Sequence, residues 1–279
     1  MMRTLTALAA AVGLLVAGAA SAETTRKEPP SVAWSFNGPF GQYDQAQLQR
    51  GYKVYREVCA SCHSMEMVAF RNLGDPGGPF HDPKYPNSNN NPVIKALAKD
   101  FQIADIDDTG QPEKRPGTTA DYFPSPFPNE KAARASNGGA LPPDMSLLAR
   151  AREGGADYVR AIVTGYRDAP AGLEVPAGKF YNPYMAGDLS SFWHGKGKAP
   201  EGGLIAMPPP LKAGQVTFDD GTKSTLDQEA TDVAAFLAWA SDPKLEERHQ
   251  DGLAVMIFLL VFSGILYASY RLVWRNVSH

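Results

Sequence analysis

Cysteine and histidine are scarce in this chain of 279 residues, which has only two cysteines and five histidines. The cysteines stand at positions 59 and 62, and a disulfide that closes so short a loop would stabilise the fold little. Two cysteines so placed exclude a disulfide-rich scaffold. A structural zinc site needs four ligands, usually with a second Cys or His pair. No such pair exists here, because His81, His194, His249 and His279 are isolated from one another.

An excess of positive charge is also lacking, since the whole chain has a formal net charge of −3. Without Arg3, Arg271, Arg275 and Asp251, residues 23–250 keep 24 basic and 29 acidic side chains, a net charge of −5. Such a surface argues against nucleic acid as a partner. The acidic excess serves either solubility or the electrostatic steering of a basic partner.

Long apolar runs are absent from the interior of the chain and occur only near its two ends. Residues 1–22 combine Arg3, an apolar run over 5–16 and the triplet Ala20-Ser21-Ala22. This pattern predicts a cleaved secretory signal peptide, so residues 23–250 would form a domain outside the cytoplasmic membrane.

The second apolar run is long enough to cross a bilayer. Residues 253–270 carry no charge, and with Leu272 and Val273 they approach the ~20 residues that span a bilayer core. Near its end, Tyr267, Tyr270 and Trp274 suit the aromatic belt of a membrane interface. Arg271 and Arg275 suit the cytoplasmic side, where positive charge is enriched. We therefore expect a transmembrane anchor over 251–273 and a cytoplasmic tail over 274–279.

The two cysteines belong to one motif, Cys59-Ala60-Ser61-Cys62-His63. A C-x-x-C-H sequence is the attachment site of c-type haem: each thiol adds to one haem vinyl group, and the histidine binds the iron. A thioredoxin-like redox pair would need alternating strands and helices around it, which the sequence does not show. The motif predicts one haem c, bound covalently through Cys59 and Cys62, with His63 as an iron ligand.

A sixth iron ligand must come from elsewhere, and a Met/His pair suits an electron carrier because it raises the potential. Five of the eight methionines are excluded by lying in the signal peptide, in the anchor or beside His63: Met1, Met2, Met65, Met67 and Met256. Met145, Met185 and Met207 remain. Met207 is favoured, because the stiff proline run 208–210 follows it, and Met185 is the alternative. Any single methionine could instead pack in the core.

The haem motif and the helical spacing of apolar residues predict a mainly α, cytochrome c-like domain. Its loops should be long, because 26 glycines and 23 prolines are too many for a compact helical bundle. One helix should begin at Asp44 and lead into the haem motif, and another should run from Thr225 to before Pro243, each with a glutamine completing a capping box. These two helices are expected to cross, with Gly51 permitting close approach. Shorter helices are predicted over 144–152 and 157–164, and loops over 74–92 and 108–129.

Further motifs resemble the cytochrome c1 family, the membrane-anchored haem subunit of the ubiquinol–cytochrome c oxidoreductase complex, in its bacterial form. The resemblance covers nearly all of the chain after residue 22. It is carried by the haem motif and by residues 36–41, 137–144, 150–152, 164–166, 180–184, 206–209, 219–222 and 239–240.

The resemblance implies roles for further residues. Met207 matches the family's axial methionine, and Arg152 matches an arginine that pairs with a haem propionate. The remaining matches lie around the haem pocket: Asn137, Pro142, Pro143 and Tyr158. An extra cysteine pair that braces the methionine loop in some bacterial members is missing here. The segment 186–203 is longer than in mitochondrial members.

The resemblance also implies partners and a location. The electron would arrive from a Rieske iron–sulfur protein and leave to a c-type cytochrome, with the anchor beside cytochrome b in a dimeric complex. The haem domain would be periplasmic, on a single-pass protein of the bacterial inner membrane. This subunit would be a carrier rather than an enzyme by itself. Three alternatives stay open. The first is a haem subunit of a terminal oxidase or a free-standing membrane-anchored cytochrome c, the second is a peroxidase or gas sensor with an open haem face, and the third is a thiol oxidoreductase.

Overall fold

The computed structural model describes residues 26–276, so the predicted signal peptide and the last three residues of the tail lie outside the described part. Six α-helices occur in this range: α1 (Gln45–Glu57), α2 (Pro92–Lys99), α3 (Glu130–Ser136), α4 (Gly155–Thr164), α5 (Leu226–Ser241) and α6 (Leu245–Val273). Two small antiparallel sheets accompany them, β1 (Gln102–Ile106) with β2 (Pro112–Pro116) and β3 (Phe180–Asn182) with β4 (Gly203–Ile205). Long loops connect these elements. The prediction of a mainly α fold is confirmed.

Helix α1 begins where the sequence predicts. Asp44 is the N-cap, and its carboxylate accepts a hydrogen bond of 3.0 Å from the Gln47 backbone N–H, which satisfies a free donor of the first turn. Leu48, Tyr52 and Tyr55 share one buried face. The helix ends at Glu57, and the haem motif follows directly as a 3₁₀ turn over Cys59–Ser61.

Helix α5 crosses α1 at Gly51, as predicted. A side-chain Cβ at position 51 would overlap the backbone carbonyl of Asp232 and lie 2.7 Å from Cβ of Phe236. The two helices therefore approach to a distance that only glycine permits. Around the crossing, the rings of Tyr52, Tyr55 and Phe236 pack together within the core, with ring centroids 5.7 Å apart in each contact to Phe236.

We expect Gly51→Ala to destabilise the protein, although alanine alone would favour a helix by about 1 kcal/mol. Overlap with the Asp232 carbonyl must push α5 away, at a cost of roughly 2–3 kcal/mol in the free energy of unfolding. Urea denaturation followed by circular dichroism measures this. The control is Gly252→Ala in α6, where the new Cβ would meet no atom of another segment within 4 Å. Equal stability of the two variants would contradict the close crossing.

Helix α5 has the predicted N-cap but not the full capping box. Thr225 Oγ1 accepts from the Gln228 backbone N–H at 3.1 Å. The Gln228 side chain, however, donates to both carboxylate oxygens of Asp232 at 2.9 Å instead of returning to the N-cap. The Gln228 amide is used as a donor instead, because a hydrogen bond to a buried, charged carboxylate is stronger than one to a neutral group.

Two predictions of local structure are wrong. Residues 108–129 were expected to be a loop, but β2 lies there and pairs with β1 around a turn in which Asp107 accepts from the Thr109 and Gln111 backbone N–H groups. Residues 144–152 were expected to form a helix, but the structure shows consecutive turns. The reason lies in Asp144, whose side chain bonds to the Ser146 backbone N–H and to the segment after the haem motif.

Helix α6 continues from the domain as one long apolar helix. It begins at Leu245, before the expected position 251, and ends at Val273. Within residues 26–276 it is the one helix long and apolar enough to cross a membrane, and no residue of its 18-residue apolar window is buried. Lipid suits such an exposed apolar surface, so the helix fits the predicted anchor.

Candidate haem-binding site

The haem motif forms a compact turn at the end of α1. The backbone N–H groups of Cys62 and His63 both donate to the Cys59 carbonyl, at 3.1 and 2.9 Å. Ser61 Oγ closes the turn by donating to the Val58 carbonyl at 2.9 Å. Both thiols are free, so the i, i+3 pair is not joined as a disulfide. Burial raises the pKa of Cys59 to about 12, which keeps this thiol protonated.

His63 is held by a residue 80 positions away. Its Nδ1 lies 2.8 Å from the Pro143 carbonyl oxygen. Since a carbonyl only accepts hydrogen bonds, Nδ1 carries the proton and Nε2 keeps its lone pair for a metal. Burial lowers the pKa of His63, although the bond to Pro143 and the charge of Asp144 act in the opposite direction. The imidazole is therefore neutral, as an iron ligand must be.

Asp144 fastens the segment that carries Pro143 to the segment after the haem motif. Its Oδ2 accepts from Ser64 Oγ at 2.8 Å and from the Glu66 backbone N–H at 2.9 Å. Its Oδ1 accepts from the Ser146 backbone N–H at 2.8 Å. The Met145 backbone N–H adds a 2.8 Å bond to the Ser64 carbonyl. These bonds fix the position of the carbonyl that orients His63.

We expect Asp144→Asn to lower the free energy of unfolding at pH 7 by about 1–3 kcal/mol. Both carboxylate oxygens of Asp144 accept hydrogen bonds, whereas one end of the asparagine amide is an NH2 group that cannot accept them. In the wild type, burial would raise the pKa of Asp144, but the hydrogen bonds from Ser146, Glu66 and Ser64 outweigh it and the pKa is lowered. A lowered carboxyl pKa stabilises the fold above the unfolded pKa of about 3.9 and loses this contribution as pH falls through the folded pKa.

Melting temperatures measured from pH 3 to pH 7 provide the check. The wild type should lose stability more steeply than Asp144→Asn below about pH 4, where only the wild type loses the favourable carboxylate. Asp108→Asn, at an exposed position of the hairpin turn, is the control and should follow the wild type. Parallel curves for all three proteins would show that Asp144 does not fasten the two segments.

Three other predicted pocket residues have defined local roles. Asn137 ends α3, and its Nδ2 donates to the Ala133 carbonyl at 2.7 Å. Tyr158 lies on α4, with its hydroxyl 3.9 Å from Sδ of Met185. Arg152 is exposed just before α4, and its Nη1 donates to the Ala151 carbonyl at 3.2 Å. Pro142 is half-buried beside Pro143. The structure thus joins His63 to Pro143 and Tyr158 to Met185.

The three candidate methionines occupy different environments. Met145 is buried in the main core. Met185 and Met207 are half-buried, at the two ends of the segment between β3 and the proline run. Met207 follows β4, and its backbone carbonyl accepts a 3.0 Å hydrogen bond from the Tyr166 hydroxyl. Burial raises the pKa of Tyr166 well above its ordinary value, so the hydroxyl remains a donor.

Sequence reasoning missed the supporting role of Tyr166 and Asp144, although both residues lie in motifs that were recognised. The residues present fit a covalently attached haem: two free thiols three positions apart, and a neutral histidine whose Nε2 has no hydrogen-bond partner in the described part of the chain. Residues 34–277 match the profile of the Cytochrome C1 family.

The chain belongs to the cytochrome c1 family. It is 42% identical to a Cytochrome c1 of Rhodospirillum rubrum over 98% of this chain and 97% of that protein. It is 38% identical to a Cytochrome c1 of Blastochloris viridis, over 99% and 97% of the two chains. A Bradyrhizobium diazoefficiens protein called Cytochrome b/c1 is 42% identical over 96% of this chain, which spans only 40% of that longer protein.

Cytochrome c1 proteins carry a covalently bound c-type haem and are the haem subunit of the bc1 complex, so the predicted cofactor is confirmed. The family implies a role in electron transfer. The bacterial relatives and helix α6 together indicate a single-pass membrane protein.

Proposed function

We propose that this chain is the membrane-anchored electron carrier of a ubiquinol–cytochrome c oxidoreductase. It would receive single electrons from a Rieske iron–sulfur protein and pass them to a c-type cytochrome. The observation that carries the proposal is the motif turn, in which His63 is neutral, buried and fixed by the Pro143 carbonyl with Nε2 free. Bound haem supplies a one-electron couple, and the protein sets its potential and burial.

The residues proposed to hold the haem divide by role. Cys59 and Cys62 would attach it, and His63 and Met207 would supply the protein ligands of the iron. The remaining proposed pocket residues are Arg152, Tyr158, Asn137, Pro142 and Pro143. Tyr166 supports the axial methionine by holding the Met207 carbonyl. If His63 and Met207 both bind the iron, no position is left for a substrate, which would favour electron transfer over peroxidase or sensor chemistry.

The anchor would hold the haem domain on the periplasmic side of a bacterial inner membrane. Helix α6 is tied to the domain at its start: Glu246 Oε1 accepts from the Tyr43 backbone N–H at 2.8 Å, and His249 Nδ1 lies 3.2 Å from the Gly41 carbonyl. At its other end, Arg271 donates to the Tyr267 hydroxyl at 3.3 Å, among the aromatic residues expected at an interface. In this arrangement α6 would pack beside cytochrome b in a dimeric complex.

Truncation after Gln250 should release a soluble haem domain, because it removes the apolar part of α6 and keeps the contacts of Glu246 and His249. We expect the truncated protein in the periplasmic fraction with an unchanged reduced spectrum, and the full chain in the membrane fraction. Ultracentrifugation of osmotic-shock and membrane fractions measures the distribution. A truncated chain that stays in the membrane would contradict anchoring by α6.

The reduced optical spectrum with and without carbon monoxide tests the carrier function. We expect a low-spin c-type spectrum that carbon monoxide leaves unchanged, and co-purification with a di-haem cytochrome b and an iron–sulfur protein. Rapid carbon monoxide binding would instead indicate an open iron face and a sensor or peroxidase. Purification without those two partners would favour a free-standing anchored cytochrome.

A further inference from the structure

Arg26 is a buried arginine with an unused donor. Its side chain is 6% exposed, and Nη2 donates to the Glu153 carbonyl at 3.3 Å and to the Glu153 carboxylate at 3.2 Å. Nη1 is also buried but has no hydrogen-bond partner among residues 26–276. Glu153 itself is 76% exposed, so it covers only one side of the guanidinium. Since an unpaired N–H of a buried cation is costly, this donor requires an acceptor that the described chain does not supply.

The guanidinium is held in place by its surroundings. Its central carbon lies 5.0 Å from the centroid of the Tyr158 ring, within the range of a cation–π contact. The following residue is fixed too, because the Lys27 backbone N–H donates to the Pro183 carbonyl at 2.8 Å. Further along, the Val32 N–H and Trp34 Nε1 both donate to Asp157, at 3.0 and 2.7 Å. The N-terminal segment is therefore fastened across the start of α4.

Arg26 contacts two residues that lie at, or next to, residues of the proposed haem pocket, namely Tyr158 and Glu153. Tyr158 connects Arg26 to Met185, because the Tyr158 hydroxyl lies 3.9 Å from Met185 Sδ. Glu153, which Arg26 binds, directly follows Arg152 in the chain. Haem carries two carboxylate groups, and a guanidinium fork is the side chain that pairs best with a carboxylate in a partly buried position.

We infer that Arg26 binds a haem carboxylate through Nη1, as a second cation beside Arg152. The inference rests on the proposed haem site. Arg26 then sets the reduction potential as well as satisfying its own buried donor. A cation next to the haem favours the reduced form, because reduction adds one negative charge close to it. Loss of the cation therefore shifts the equilibrium towards the oxidised form.

Redox titration of Arg26→Gln in the processed, haem-loaded full chain tests this inference. At the ambient potential where the wild type is half reduced, we expect the ratio of reduced to oxidised haem to fall about tenfold, equivalent to about 59 mV for one electron. Resonance Raman spectra should show a changed haem carboxylate bending mode. The matched control is Lys27→Gln, which removes the same charge one residue later from an exposed side chain.

The variants separate the possible results. Arg26→Lys keeps the charge, so it should preserve most of the wild-type ratio of reduced to oxidised haem while still altering the carboxylate mode. If Arg26→Gln does not accumulate, Arg26→Lys alone tests the inference. Equal titrations and unchanged carboxylate modes in the Arg26 and Lys27 variants would overturn the inference. If the wild type is low-spin, those equal titrations overturn only the role of Arg26 and leave the proposed function intact. A wild type that binds carbon monoxide contradicts the proposed function itself.

Discussion

Met207→Leu should open the haem iron to carbon monoxide and lower the reduction potential. Leucine keeps the size and apolar character of methionine but has no sulfur to bind the metal. Loss of a thioether ligand removes the preference for the reduced state, and the fall is on the order of 0.1–0.3 V, within the roughly 0.8 V range over which axial ligands tune haem. Redox titration and the reduced spectrum with carbon monoxide measure both effects.

Met185→Leu is the matched control for this experiment. Both methionines are half-buried and belong to the same segment of the chain, but only Met207 has its carbonyl held by Tyr166. Met185 instead contacts the Tyr158 hydroxyl through its sulfur. We expect Met185→Leu to stay low-spin and to change the potential little. If Met185→Leu binds carbon monoxide and Met207→Leu does not, Met185 is the sixth ligand.

Arg50→Met should be among the most destabilising single substitutions in the haem domain. Asp232 is fully buried on α5, and Arg50 on α1 reaches it with Nε at 2.8 Å and Nη2 at 3.3 Å. Its Nη1 also binds Asp220 at 2.8 Å. Methionine preserves much of the side-chain volume, but among residues 26–276 it leaves the buried carboxylate with the Gln228 amide alone. We expect a loss of about 3–5 kcal/mol in the free energy of unfolding.

Two further variants show whether the buried charge is the cause. Asp232→Asn combined with Arg50→Met removes the unpaired charge and should recover most of the lost stability in urea denaturation. Lys53→Met is the control on the same helix, since Lys53 pairs with an Asp219 side chain that is 86% exposed. Its loss should cost less than about 1 kcal/mol. If the double variant is as unstable as Arg50→Met, packing rather than charge explains the loss.

The helices that frame the haem motif were predictable because their signals are local. Asp44 and Thr225 cap the first turns of α1 and α5, and both bonds join residues three positions apart. The spacing of apolar residues along α1 identifies its buried face for the same reason. Gly51 indicated a close crossing, and the structure shows its partner to be the Asp232 backbone.

Prediction failed in two segments, one shaped by a bond to a distant residue and one in which the apolar pattern is weak. The turns over 144–152 replace a helix because Asp144 bonds to Ser64 and Glu66, which lie 80 and 78 positions away. The missed hairpin of β1 and β2 depends on a turn organised by Asp107 among mostly exposed residues, so apolar alternation there is weak. A segment of mostly polar residues such as this one is interpreted as a loop when the sequence does not identify a partner strand.

The sequence by itself determined the cofactor chemistry, the two crossing helices and the apolar helix that suits a membrane. Each depends on covalent spacing or on helical periodicity, which act over a few residues. Only the tertiary structure decided which carbonyl orients His63, which cation neutralises Asp232 and which buried donor Arg26 leaves unused. His63 and Asp232 are 80 and 182 positions from their partners, and Arg26 is held by Glu153, 127 positions away. No local pattern encodes which distant groups the packed core brings together.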